Sequence, residues 1–141
     1  NGTFQTVIGE VEDLNPRKVT SVILCSGKVY YDLLDYRRNN EITDTAIVRI
    51  EQLYPFPHDD LVSVFNEYPK LKDVVWCQEE PQNQGAWYPT QHRMRGALKE
   101  VTEKVYLRYA GREGSASPAA GYTSVHVEEQ AALVKQAFDN E

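Results

Sequence analysis

A chain of 141 residues with 41% apolar and 26% charged side chains suits one soluble domain with a single hydrophobic core. Its 21 acidic against 15 basic residues, a formal charge of -6, argue against a nucleic-acid-binding or anionic-membrane surface. No apolar run approaches the ~20 residues that span a bilayer, and the opening residues lack the basic end and apolar core of a signal peptide.

An opening of that kind is expected of a fragment of a longer chain. Phe4 to Ile8 form a β-branched apolar cluster closed by Gly9, which predicts a short edge strand. Glu10 to Asn15 is acidic and turn-like, and Pro16 closes it. Residues 1–18 are read as the edge strand and its connection, and 19–141 as the body of a single α/β domain. Val19 to Cys25 is the first clear strand, ended by Ser26-Gly27. A helix follows to about Asn39, with Val29, Leu33 and Tyr36 on one face and Tyr30 and Leu34 beside it. Asp32, Arg37 and Arg38 are expected to stay wet.

Thr45 to Ile50 is the second core strand, ended by Glu51-Gln52. Pro55 and Pro57 are expected to hold the next connection extended. Leu61, Val64, Phe65 and Tyr68 then mark an amphipathic helix, with Asp59 and Asp60 at the positive end of its dipole. Val74 to Cys77 is a third apolar run that turns polar at Gln78-Glu79-Glu80 and breaks at Pro81. A loop through Gly85 leads into a helix carrying Met94, Ala97, Leu98 and Val101. Val105 to Tyr109 alternates more than the inner strands, as an edge strand does. Gly111 to Gly121 is small and flexible in composition. Val127, Ala131, Val134 and Phe138 are expected to form the buried stripe of a last helix.

Strands and helices alternate, which implies a three-layer α/β fold: a mostly parallel five-stranded sheet with one antiparallel edge strand and helices on both faces. The antiparallel strand is expected to be the first, paired with the second. Ligands or partners of such sheets meet the carboxyl ends of the strands. Glu51, Gln52, Gln78, Glu79, Glu80, Asn83, Gln84 and Gly85 fall there and are the candidate interface. Glu79 and Glu80 are neighbours on an extended chain and point in opposite directions, so they are not a facing acid/base pair. Either they join Glu51 in an acidic rim, or they are polar strand ends bonded to nearby loops.

Other chemistry is poorly served. Ser26-Gly-Lys28 lacks the upstream glycine and following Ser or Thr of a phosphate-binding loop. His58, His92 and His126 have no metal-ligand spacing. Cys25 and Cys77 close apolar runs and read as small buried hydrophobes.

Three stretches resemble one family: Cys25-Ser-Gly-Lys-Val-Tyr-Tyr-Asp-Leu-Leu34, Ile47-Val-Arg-Ile-Glu-Gln-Leu-Tyr-Pro-Phe-Pro57, and Trp76-Cys-Gln-Glu-Glu-Pro81 with Asn83-Gln-Gly-Ala-Trp87. Tyr109-Ala-Gly-Arg112, Ser115-Ala-Ser-Pro118 and Val125-His126 continue the likeness. The family is the thiamine-diphosphate-dependent first component of the 2-oxoglutarate dehydrogenase complex, in its bacterial form. The resemblance implies the transketolase-type C-terminal domain of a longer subunit. Such a subunit is cytoplasmic in bacteria and lies in the mitochondrial matrix in eukaryotes. It would decarboxylate 2-oxoglutarate and transfer succinyl to lipoamide. Thiamine diphosphate and magnesium would be held by the preceding domains, so no catalytic, cofactor or metal residue is carried onto this stretch, and alone it is expected to be inactive. The implied partners are those preceding domains, a second copy of the subunit, dihydrolipoyl succinyltransferase and dihydrolipoyl dehydrogenase, with no nucleic acid and no membrane. Some members bind acetyl-CoA through arginines just after the Pro-Phe-Pro stretch. His58, Asp59 and Asp60 stand there instead, and no such site is expected. The same domain of another thiamine-dependent dehydrogenase or of a transketolase, and a stand-alone ligand- or protein-binding module, stay open as alternatives.

Overall fold

A computed structural model describes residues 6–112 and 123–139. Strands β1 (Val7–Ile8), β2 (Ser21–Cys25), β3 (Thr45–Ile50), β4 (Asp73–Pro81) and β5 (Leu107–Arg112) form one sheet in the order β1-β3-β2-β4-β5. β2 runs parallel to β3 and β4, β5 runs parallel to β4, and β1 runs antiparallel to β3. Helices α1 (Val29–Asn39) and α4 (Thr123–Phe138) cover one face; α2 (His58–Asn66) and α3 (Trp87–Val101) cover the other. This is the expected three-layer, mostly parallel architecture.

The sheet forms because its inner strands are apolar on both sides. Every residue of β2 is buried, and β3 is buried except for half-exposed Arg49. Alternation then sorts the core. Val22, Leu24, Ala46, Val48, Val74 and Trp76 face α2 and α3. Ile23, Cys25, Ile47, Val75 and Cys77 face α1 and α4. Cys25 and Cys77 are buried free thiols in register on adjacent strands.

Several expectations are corrected. β1 pairs with β3 and not with β2. Both edges of β2 are taken by parallel neighbours, and the connection from Gly9 to Thr20 carries the chain past β3 to the middle of the sheet. Arg37 is not wet: it is 1% exposed. Its two terminal nitrogens donate to the two Glu10 oxygens at 2.6 Å each. They also reach Glu12 at 2.8 Å and the Thr45 carbonyl at 3.0 Å. Glu10 in turn accepts from the Ile47 N–H at 2.8 Å, continuing the β1–β3 ladder with a side chain where β1 has already ended.

β4 does not stop at the polar switch but runs on through Glu80 to Pro81. β5 starts two residues later than expected and takes in Gly111 and Arg112; residues 113–121 of the flexible stretch lie outside the described residues. In α4 the buried stripe is Leu133, Val134 and Ala137, with Phe138 half-buried, while Val127 is 58% exposed. The connection after β3 bends at Tyr54 and Pro55, whose peptide bond is cis, instead of running extended.

Burial also sets an alkaline limit. It pushes the Tyr68 and Tyr109 hydroxyls up to about 12 from 10.0, and the Cys77 thiol up to about 12 from 9.0. These groups stay neutral in the fold at pH values where the unfolded chain ionises. The stability they contribute is complete below about pH 9 and is lost as pH rises toward about 12. The expected outcome is a urea midpoint that falls across this window. Tyr68→Phe should flatten the fall between about pH 10 and 12; an unchanged slope would remove Tyr68 from the account.

Candidate functional site

The carboxyl tip of β4 and the loop into α3 are held by one side chain. Trp76, Gln78 and Glu80 share a face of β4 by strand alternation. Gln78 is 2% exposed, although it is polar and sits past the apolar run. Its Oε1 accepts from Trp76 Nε1 at 2.8 Å and from the Trp87 N–H at 3.0 Å. Its Nε2 donates to the carbonyls of Glu80, Pro81 and Gln84 at 3.0, 2.9 and 2.8 Å. Two hydrogens serve three carbonyls, so one bond is shared. One amide thus joins the end of the strand, the loop and the first turn of α3.

Gly85 closes this knot. Its φ is +66°, the left-handed region that favours glycine. A Cβ there would lie 3.0 Å from both Gln78 Oε1 and Glu80 Oε1. Gly111 fills a similar need on β5, since its Cβ would sit 2.8 Å from the Gln78 carbonyl oxygen. Tyr109 tilts against the Trp87 ring at 5.2 Å and donates to the Arg112 carbonyl at 2.8 Å.

Glu79 points to the opposite face, as strand alternation requires. Its Oε1 accepts from Gln130 Nε2 of α4 at 3.0 Å, and the same nitrogen reaches Asp32 of α1 at 2.8 Å. Arg112 joins this group through Gln130 Oε1 at 3.2 Å, the Glu79 carbonyl and Glu129 at 3.1 Å. The α1–α4 layer is thereby tied to the β4 tip.

Glu51 and Gln52 stand at the tip of β3, two strands from β4, a separation of roughly 10 Å at ordinary strand spacing. Glu51 lies 2.9 Å from Arg49 Nε, an ion pair without hydrogen-bond alignment. Gln52 Nε2 reaches the Pro55 carbonyl at 3.3 Å. Arg49 also stacks 4.6 Å over Tyr30 and donates to the Tyr31 hydroxyl at 3.2 Å.

The candidate residues therefore divide. Gln78, Glu80, Gln84 and Gly85 meet in one knot, Asn83 is exposed on its loop, Glu79 serves the other face, and Glu51 and Gln52 stand apart. Glu51 and Glu79 do not meet, and each carboxylate has its own partner, Arg49 and Gln130 respectively. Gln130, Arg112 and Arg49 were missed as functional neighbours, although Arg49 and Arg112 both sat in quoted motifs. Burial pushes both thiols up, Cys25 well above its ordinary value, so neither is a ready nucleophile at neutral pH. Among the described residues no group of three or more His, Cys, Asp or Glu side chains is placed to hold a metal ion.

The likeness to known proteins runs along nearly the whole chain. A family model described as 2-oxoglutarate dehydrogenase C-terminal matches residues 1–138. The chain is 57% identical over 138 residues, 98% of its length, to the 2-oxoglutarate dehydrogenase E1 component of Haemophilus influenzae. It is 56% identical over 137 residues, 97% of its length, to that of Azotobacter vinelandii. It is 45% identical over 139 residues, 99% of its length, to an oxoglutarate dehydrogenase of Buchnera aphidicola. The chain spans 14%, 14% and 15% of these relatives' own lengths.

Proposed function

The chain belongs to the 2-oxoglutarate dehydrogenase C-terminal family, and on that premise we propose that it works as one domain of a subunit that decarboxylates 2-oxoglutarate on thiamine diphosphate and passes succinyl to lipoamide. The observation that carries this reading is the likeness along nearly the whole chain to relatives named for that enzyme. We assign neither thiamine diphosphate nor its magnesium to the residues described here. Both would be held by other parts of the subunit, and no step of the reaction is assigned to this stretch.

The domain's own contribution is architectural. A rigid strand tip presents a loop whose shape is set from inside by Gln78. Loops on a rigid scaffold are where one unit meets another. The carboxyl edge is therefore read as the docking face for the preceding thiamine-binding domains or for a second copy of the subunit. Dihydrolipoyl succinyltransferase and dihydrolipoyl dehydrogenase would complete the assembly, and a bacterial cytoplasm would house it.

The test is turnover by the full-length subunit. It should consume 2-oxoglutarate in preference to pyruvate, and pyruvate preference would assign the chain to a related dehydrogenase. Glu79→Lys with Glu80→Lys is expected to lower turnover or dimer stability by roughly tenfold. Wild-type turnover and assembly in that variant would remove the docking role while leaving the family assignment intact.

A further inference from the structure

The carboxyl edge carries exposed aromatic rings beside its acids. Among the described residues, the large apolar side chains that stand well exposed are Val11, Tyr31, Tyr54, Tyr88, Tyr106 and Val127. Surface apolar groups scattered singly need no explanation. Four of these six share one end of the fold. Tyr31 lies in the first turn of α1, Tyr54 in the connection leaving β3, Tyr88 in the first turn of α3, and Val127 early in α4. All four elements leave the carboxyl tips of strands. Gln130, three residues beyond Val127, touches Glu79 and so fixes that end of α4 beside the β4 tip.

Two charges of the same edge are already used. Glu51 is paired with Arg49 and Glu79 is bonded to Gln130. Tyr31 is occupied as well: its hydroxyl accepts from Arg49 and its ring meets Tyr30 edge-on at 5.2 Å. Tyr54 at 81% exposed and Tyr88 at 70% are the large rings left facing outward there. Both project from backbone fixed nearby, Tyr88 from the turn that Gln78 bonds and Tyr54 beside the Gln52–Pro55 contact. Rigidly presented, exposed tyrosines are the side chains that anchor interface cores.

We infer that Tyr54 and Tyr88 are the anchors by which this edge is covered by the polypeptide of its own subunit that lies outside these 141 residues. The inference rests on the reading above, that the chain is one domain of a longer subunit. The occupant follows from size: the matched stretch is 14% of the relatives' length, so most of such a subunit is available to cover the edge. A permanently covered face also suits aromatic contacts better than a transient one.

Tyr106 supplies an internal standard. It is as exposed as Tyr54, at 81%, but precedes β5 at the amino end of the sheet. The experiment is hydroxyl-radical footprinting of the full-length subunit, read by mass spectrometry at each tyrosine. Anchors in desolvated pockets lose most of their contact with water, so Tyr54 and Tyr88 are expected to label on the order of tenfold more slowly than Tyr106. The protection should persist on dilution to monomer. Equal labelling of the three rings would overturn the inference. Protection lost on dilution would also overturn it, by assigning the cover to a second copy. A Tyr54→Ser, Tyr88→Ser subunit should expose neighbouring side chains at the β3 and β4 tips to labelling; an unchanged footprint there would count against anchoring. The activity assay fails or succeeds separately: turnover of 2-oxoglutarate with no protection sinks the anchors alone, and absence of turnover sinks the functional reading whatever the footprint shows.

Discussion

Glu10→Ala is expected to destabilise the fold by about 3–5 kcal/mol, because it leaves a buried guanidinium without its main counter-charge. Arg37 and Glu10 are 1% and 8% exposed and share two hydrogen bonds of 2.6 Å. Burial alone would pull the Arg37 guanidinium down, but its hydrogen bond and charge contact with Glu10, then those with Glu12, more than offset this and hold it above the ordinary value. Removing Glu10 also strips the Ile47 N–H of its acceptor. The measurement is urea unfolding followed by fluorescence of Trp76 and Trp87, which are 1% and 4% exposed. An informative control replaces both partners, Arg37→Met with Glu10→Leu. Apolar replacement of a whole buried pair is often close to neutral, so the double variant should recover much of the loss. A single-variant loss under about 1 kcal/mol would mean the pair behaves like an exposed one.

Glu12 marks the contrast. It is 31% exposed and also pairs with Arg38, which is 54% exposed. The Arg38 hydrogen bond, joined by Arg37 and opposed by some desolvation, holds its carboxyl below the ordinary 4.5. Its contribution is therefore present above about 4.5 and lost as pH falls through the lowered value. Screening by water keeps Glu12→Ala well below Glu10→Ala in cost.

The same pair shows where reading the residues stops. The runs Val22 to Cys25, Ala46 to Val48 and Val74 to Cys77 announce a parallel sheet because they are apolar on both faces. The spacing of Leu61, Val64 and Phe65 in α2 does the same for a helix face. Arg37 was legible only as a charge on the polar side of α1, since the acid that buries it lies 27 residues upstream. The short connection from β1 to β2 likewise pointed to the wrong neighbour, since β1 pairs with β3. In α4 the apolar positions outnumber those that one face can hide, and only the packing against α1 and the sheet selects Leu133 and Val134 over Val127. The candidate site was visible as a place, the β4 tip, but its internal order was not. Gln78 resembled a rim residue because glutamine is mostly exposed. Its burial depends on five partners, four of them backbone groups, whose positions no pattern of residue types reveals.

That burial makes Gln78→Leu the sharpest perturbation of the candidate site. Leucine approximates the volume and keeps β4 apolar, but it bonds to nothing. The Trp76 indole N–H and the Trp87 backbone N–H, both on buried residues, lose their acceptor. Each unsatisfied buried donor costs about 1–3 kcal/mol. The Glu80, Pro81 and Gln84 carbonyls lie nearer the surface and can turn to water, which frees the loop as it satisfies them. The expected loss is about 2–4 kcal/mol, accompanied by faster amide exchange across residues 80–87 while the core strands stay protected. Gly85→Val tests the same knot from the outside. It forces a β-branched residue to φ +66° with its Cβ 3.0 Å from Gln78 and Glu80, at a strain of about 1–3 kcal/mol. If Gln78 is the common post, the two substitutions act on one structure. Their losses should then add to less than their sum, since a loop already released by leucine has no fixed φ at position 85 left to strain. Full additivity would show that the loop holds its shape without Gln78, and the docking face would then owe its form to some other contact.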